Sequence, residues 1–248
     1  VTGFTLEMLG GLAPFDLTVQ PKVVIDGEEL LGPKPQSNRS WTASFRHEDG
    51  RWKAGRLVEP TARKVHGLQG PIDDAFMDSF LIVRPTGEGN PGTSAWVKGE
   101  LDHAITHWRR QFRGEPRVKD DKDVTEADIA SMNLILFGDT KSNAVLAKIA
   151  DRLPIEWNAD SIQLGKDAFS AKDHVVLAIY PNPLNPKRYV VLNSGFTFRM
   201  GAKTSNALQT PKLPDWALID LRTPPSDQWP GQVVDAGFFD ESWQWPKK

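Results

Sequence analysis

The sequence predicts a three-layer α/β domain with a mostly parallel sheet, flavodoxin- or Rossmann-like in outline, preceded by a small antiparallel β unit. Three observations predict it. Residues 1–58 alternate apolar and polar side chains around two Asp-Gly pairs. A stretch of linker composition, Glu59 to Pro71, then changes the character of the chain. From there to residue 248, short apolar runs alternate with helix-period stripes, the pattern that crossover connections produce. The domains expected are therefore 1–58, the β unit, and 59–248, the α/β domain.

In the β unit, "FDLTVQPKVVIDGEEL" carries alternation into an Asp26-Gly27 turn, and "SWTASFRHEDGRWKAG" repeats the device at Asp49-Gly50. In the second region, strands are expected at Phe80–Arg84, Arg117–Lys119, Leu134–Phe137, Val175–Tyr180, Tyr189–Leu192, Ala217–Asp220 and Val233–Ala236. A helix is expected over Thr93–Arg113, where Val97, Leu101, Ala104, Ile105, Trp108 and Phe112 recur at three- and four-residue spacing. A second covers Ser142–Arg152 with Val145, Leu146 and Ile149 inward, and Pro154 stops it. Thr125-Glu-Ala-Asp128 is a variant of the capping box and starts a short helix between them.

Composition narrows the function. A 248-residue chain has ample core without staples. With no cysteine, disulfides, thiolate metal sites and cysteine nucleophiles are excluded. A net charge of -2 argues against nucleic acid or an anionic membrane as partner, since such affinity comes largely from clustered Lys and Arg. No apolar run approaches the roughly 20 residues of a membrane span, and none at the start reads as a signal peptide. The chain opens on Val1 rather than Met, so sequence upstream of it is expected. Nine tryptophans stand against two tyrosines; Trp229, Trp243 and Trp245 near the C-terminus either cap the core or stack a sugar or aromatic acid.

Four constellations could carry chemistry. Gly87-Glu-Gly89-Asn-Pro-Gly92 spells G-x-G-x-x-G between a strand and a helix. Its third glycine precedes the helical stripe by several residues, however, and the nearest strand-end acids, Asp120 and Asp121, come late for a ribose. The loop reads as an exposed turn, and no cofactor is expected. In "ELDHAITHW", His103 and His107 stand at i and i+4 with Glu100 one turn earlier, a spacing that suits a metal. Both flank the apolar stripe, so a partly solvated helix edge is expected and no metal. In "HGLQGPIDDAFMDSF", His66, Asp73, Asp74, Asp78 and Ser79 offer a base, orienting carboxylates and a hydroxyl; His66, Asp73, Asp74 and Ser79 are the candidate catalytic set. The bland reading is a charged loop leading into the first parallel strand. Last, Gly138, Asp139, Ser142 and Asn143 fall at a strand's carboxyl end and a helix N-terminus, where free N–H groups attract anions. Asn182, Asn185, Asn193 and Ser194 are expected at neighbouring strand ends, so these eight are the candidate ligand-binding residues; strand termination and helix capping explain the same residues equally well. There is no G-x-S-x-G, and Ser94 and Ser194 each lack part of it.

"HGLQGPIDDAFMDSFLIVRPTG", "WRRQFRG", "NLILFGDTKSN", "LPIEWN", "YPNPLNPKRYVVLNSGFTFR", "SNALQTPKLPDWALID" and "AGFFDESWQ" resemble the C-terminal region of bacterial prolyl-oligopeptidase-family or esterase-like α/β-hydrolase proteins, and the similarity runs through nearly the whole chain. In that family the nucleophile-bearing module lies N-terminal to the region matched. The resemblance implies an accessory, non-catalytic domain beside a serine-hydrolase module as its partner, in a secreted or periplasmic setting. Two alternatives stay open: an independent hydrolase of ester, lactone or glycosidic bonds working at the strand carboxyl ends, and a small-molecule or carbohydrate-binding module.

Overall fold

A computed structural model describes residues 3–55, 62–158, 160–199 and 210–246. The chain divides into two compact units, Val1–Pro60 and Thr61–Lys248. The expected boundary between residues 58 and 59 lies outside the described residues.

The first unit holds β1 (Gly3–Met8), β2 (Lys22–Ile25), β3 (Glu28–Leu31), β4 (Trp41–Glu48) and β5 (Arg51–Ala54), paired antiparallel as β1-β4-β5 and β2-β3. Asp26-Gly27 joins β2 to β3 and Asp49-Gly50 joins β4 to β5, with all four residues at positive φ, the backbone of the tight hairpin turn. Ala13, Trp41, Ala43, Phe45 and Trp52 make its core. Two of these rings also anchor loops, the Trp41 indole N–H donating to the Pro33 carbonyl at 2.7 Å and that of Trp52 to Asp26 at 2.8 Å.

The second unit runs β6 (Phe80–Arg84), α1 (Pro91–Phe112), β7 (Val118–Asp120), α2 (Glu126–Ser131), β8 (Asn133–Leu136), α3 (Ala144–Ile149), β9 (Glu156–Trp157), β10 (Ser161–Leu164), β11 (Asp167–Ser170), β12 (His174–Asn182), β13 (Asn185–Leu192), β14 (Trp216–Asp220) and β15 (Gln232–Gly237). The main sheet has seven strands in the order β15-β14-β12-β13-β8-β6-β7. Pairings from β13 through β8 and β6 to β7 are parallel, and those from β13 through β12 and β14 to β15 are antiparallel. A separate meander, β11-β10-β9, is antiparallel throughout.

This overturns the expected three-layer, mostly parallel, flavodoxin-like sheet. Strand makes up 34% of the described residues against 20% helix, so strands dominate. The reason is connection length. Parallel neighbours need a crossover of a dozen or more residues. α1 and α2 supply such crossovers for β6, β7 and β8, whereas only Pro183-Leu184 separates β12 from β13 and, among the described residues, no α-helix lies beyond α3. The parallel half is joined by helical crossovers; the C-terminal half is built of hairpin-like returns.

Consecutive residues of β8 (Leu134, Ile135, Leu136), β12 (Val175 to Ile179) and β14 (Ala217, Leu218, Ile219) are all nearly inaccessible, so the sheet centre is covered on both faces. Each such Val, Leu or Ile contributes about 1.5–3 kcal/mol by leaving water. Helix α1 starts two residues earlier than expected, because Asn90 caps it and Pro91 sits at its first position, and Arg113 ends it in the left-handed conformation. Its buried face is rotated from the expected stripe: Trp96, Glu100, His107 and Gln111 lie inside with Val97, Leu101 and Ala104, and Phe112 is exposed. The reciprocal capping box at Thr125 and Asp128 starts α2.

Candidate functional site

β6, β8 and β13 run parallel, so the loops after them leave from one end of the sheet. β6 and β8 are neighbours whose onward connections diverge, α1 leading from β6 to the outer strand β7 while the chain beyond β8 turns to the other side. Open α/β sheets form their crevice at such a point.

The loops there are knotted together by polar side chains. Asn193, at positive φ, accepts from the Gly138 amide at 2.8 Å and donates to the Gly138 carbonyl at 2.9 Å. One carboxylate oxygen of Asp139 accepts from the Asn90 amide at 2.7 Å; the other accepts from the Lys141 and Ser142 amides at 3.0 and 2.8 Å and from the Ser142 hydroxyl at 2.9 Å. Burial opposes ionisation of Asp139, but these bonds outweigh it and hold its pKa below the ordinary carboxylate value. Asn143 caps α3 through the Val145 and Leu146 amides and donates to the Phe137 carbonyl. Asp121 accepts from the Ala144 amide and the Thr86 hydroxyl.

The expectation of free N–H groups for an anion is therefore corrected. At the start of α1 the Asn90 amide serves Asp139, Pro91 has no N–H, and the Gly92 amide serves the Asn90 side chain. At the start of α3, Asp121 and Asn143 take the amides. The protein's own carboxylates stand where a phosphate would. The glycines of the loop also have an internal purpose. A Cβ on Gly92 would lie 2.1 Å from the Lys172 carbonyl, one on Gly87 2.7 Å from that of Lys141, and one on Gly89 2.9 Å from the Asp139 carboxylate. They permit protein loops to touch, and a pyrophosphate has no part in that packing.

Of the eight candidate ligand-binding residues, Gly138, Asp139, Ser142, Asn143 and Asn193 meet in this knot, with Ser194 next to it, its hydroxyl donating to the Gly195 carbonyl at 2.8 Å. Asn182 and Asn185 do not. They flank the β12–β13 turn at the opposite end of the sheet, where Asn182 accepts from the Leu184 amide and Asn185 donates to the carbonyls of Ile129 and Ala130. The expectation that they line the same strand ends fails because β12 runs antiparallel to β13.

The candidate catalytic residues do not form a base–nucleophile pair. His66 is exposed in the turn bridging Val65 and Leu68. Asp73 is buried in the 3-10 turn Ile72–Phe76 and accepts from the amide and hydroxyl of Thr197, both at 2.6 Å. Burial raises its pKa to about 6 against the pull of those two bonds. Asp74 accepts from the Tyr189 hydroxyl at 2.5 Å, and that hydroxyl accepts from the Gly70 amide. Ser79 is exposed ahead of β6, its amide donating to Asp78, which pairs with Arg188.

The expected partly solvated edge holds for His103, which is half-buried, and is corrected for His107, which is buried. Their rings stack 5.2 Å apart, and both Nε2 atoms are buried with no hydrogen-bond partner among the described residues. Burial, then the Arg199 charge, lowers both pKa values, that of His103 to about 4. Glu100 holds Arg199 through two bonds, at 2.6 and 3.2 Å. No group of three or more His, Asp or Glu among the described residues could hold a metal. The Glu100, His103 and His107 spacing marked this cluster in the sequence; Arg199, nearly a hundred residues away, carried no signal.

Beside the knot lies a cleft of about 570 Å³. Its floor is Asp139 and the loop from Gly89 to Thr93, and Glu88, Lys141, Trp157, Asp160 and Lys172 surround it. Trp157 is half-buried on β9, and the four charged residues are exposed. Sequence reasoning missed Trp157 and the charged rim because β9–β11 was not anticipated. No protein-family model matches the chain, and no curated protein or solved structure matches it either.

Proposed function

We propose that this chain is an accessory domain of a serine hydrolase of esterase or peptidase type, one that binds and positions and does not cut. One observation carries the reading: the candidate carboxylates are engaged in structural hydrogen bonds. Asp73 holds Thr197, Asp74 the Tyr189 hydroxyl, and Asp139 the starts of two loops. A serine nucleophile needs a base within hydrogen-bond reach; none of Ser79, Ser94, Ser142 and Ser194 bonds a histidine among the described residues. The partnership with a hydrolase module rests on the resemblance in sequence.

The test is turnover of 4-nitrophenyl acetate and butyrate by the purified chain. Rates indistinguishable from those of the His66→Ala and Asp73→Asn variants are expected. Turnover well above background and abolished by His66→Ala would instead make the chain an independent hydrolase. The cleft beside Trp157 favours a second, compatible reading, that the domain holds a small ligand there.

A further inference from the structure

We propose that the cleft beside Trp157 is a subsite for the neutral sugar rings of a glycan; this rests on the reading of the chain as a unit that binds and does not cut. Its volume of about 570 Å³ falls within the roughly 300–1,000 Å³ of small-ligand sites.

Trp157 differs from six of the other eight tryptophans. Trp41, Trp52, Trp96 and Trp245 donate their indole N–H to protein acceptors, and Trp216 and Trp243 are buried. Trp157 is half-buried at the edge of the cleft, and its N–H has no partner among the described residues. It offers an apolar face with an available donor, the combination that suits the C–H face of a pyranose bordered by hydroxyls.

The rim decides the charge of the occupant. Lys141 and Lys172 supply positive charge, Glu88 and Asp160 negative, and none of the four has an ion-pair partner among the described residues. An anionic ligand would meet Glu88, Asp160 and the ionised Asp139, with the helix-start amides already occupied. A cationic one would meet the two lysines. A neutral polyol suits both signs, because every hydroxyl donates to a carboxylate and accepts from an ammonium, and such charge-assisted bonds are the stronger kind.

The experiment is calorimetric titration of the purified chain with cellohexaose, xylohexaose and mannohexaose as neutral glycans, oligogalacturonate as an acidic glycan and phenylacetate as an aromatic acid. At least one neutral hexaose is expected to bind saturably. Its affinity should fall at least tenfold in Trp157→Ala and at least threefold in the Lys141→Met/Lys172→Met double variant, and stay unchanged in Trp229→Ala. Trp157 packs against the core, so its variant is accepted only if its thermal melt stays cooperative; the lysine side chains are exposed, and their variant carries the test if it does not. Absence of neutral-glycan binding, binding that survives the cleft variants, or tighter binding of the acidic glycan or phenylacetate would overturn the inference. Ester turnover with the glycan titrations intact would overturn the accessory reading alone.

Discussion

At the scale of single residues, charge and burial set opposite demands in this chain. Asp139 ionises easily because four donors converge on it, whereas Asp73, held by two, is pushed up to about 6 by burial. His103 is pushed down to about 4 for the same reason, with the Arg199 charge adding to it. The two shifts act on stability with opposite signs. Between about 4 and 6.5 an unfolded chain protonates this histidine and the folded one does not, so His103 costs stability as the pH falls. Between 3.8 and about 6 the folded chain holds the Asp73 proton and the unfolded one does not, so Asp73 costs stability as the pH rises. His103→Gln should therefore lose less melting temperature than the unsubstituted chain on acidification from pH 7 to 4.5. A difference on the order of 1 kcal/mol, after allowance for partial exposure, corresponds to about 2–4 °C. An unchanged or larger loss in differential scanning calorimetry would contradict the assignment. These residues were singled out in the sequence as polar groups at suggestive spacings, but which side chains would pair was not. Thr197 for Asp73 and Asn193 for Gly138 are more than fifty residues away, and only the folded chain brings them together.

At the scale of elements, the α1 glycines separate two pressures. Glycine inside a helix is less favourable than alanine by about 0.8–1.0 kcal/mol. Gly99 faces open space, so Gly99→Ala should stabilise the chain by about that amount. Gly92 lies in the first turn of the same helix, yet its Cβ would stand 2.1 Å from the Lys172 carbonyl. Gly92→Ala should destabilise by about 1–3 kcal/mol, because the obstacle is backbone and loop has to move. Urea denaturation of the pair checks this, and equal effects of the two substitutions would contradict it. Strands and helices with a strong period were legible: β6 falls on the expected residues, and α1 lies within two residues of its expected bounds, though its buried face is rotated. The β9–β11 meander was not, because its strands are two to four residues long and carry no run of apolar side chains.

At the scale of the whole molecule, the parallel half of the sheet was readable from the helix-period stripes of α1 and α3 and the capping box of α2. The antiparallel half was readable in principle from the short Pro-rich link between β12 and β13, which leaves no room for a crossover. That link decides the architecture, and with it the site: reversing β12 sends Asn182 and Asn185 to the far end and leaves Asn193 to lock the loop after β8. The strand-end crevice then has a floor of satisfied polar groups and an open rim, the arrangement on which the proposal of a ligand held without attack rests. The most direct test of that claim needs no substrate. The purified chain is incubated with a fluorophosphonate, which phosphonylates any activated serine with loss of fluoride, and the intact mass is measured. An unshifted mass is predicted; a stoichiometric adduct on Ser79, Ser94, Ser142 or Ser194 would contradict the account.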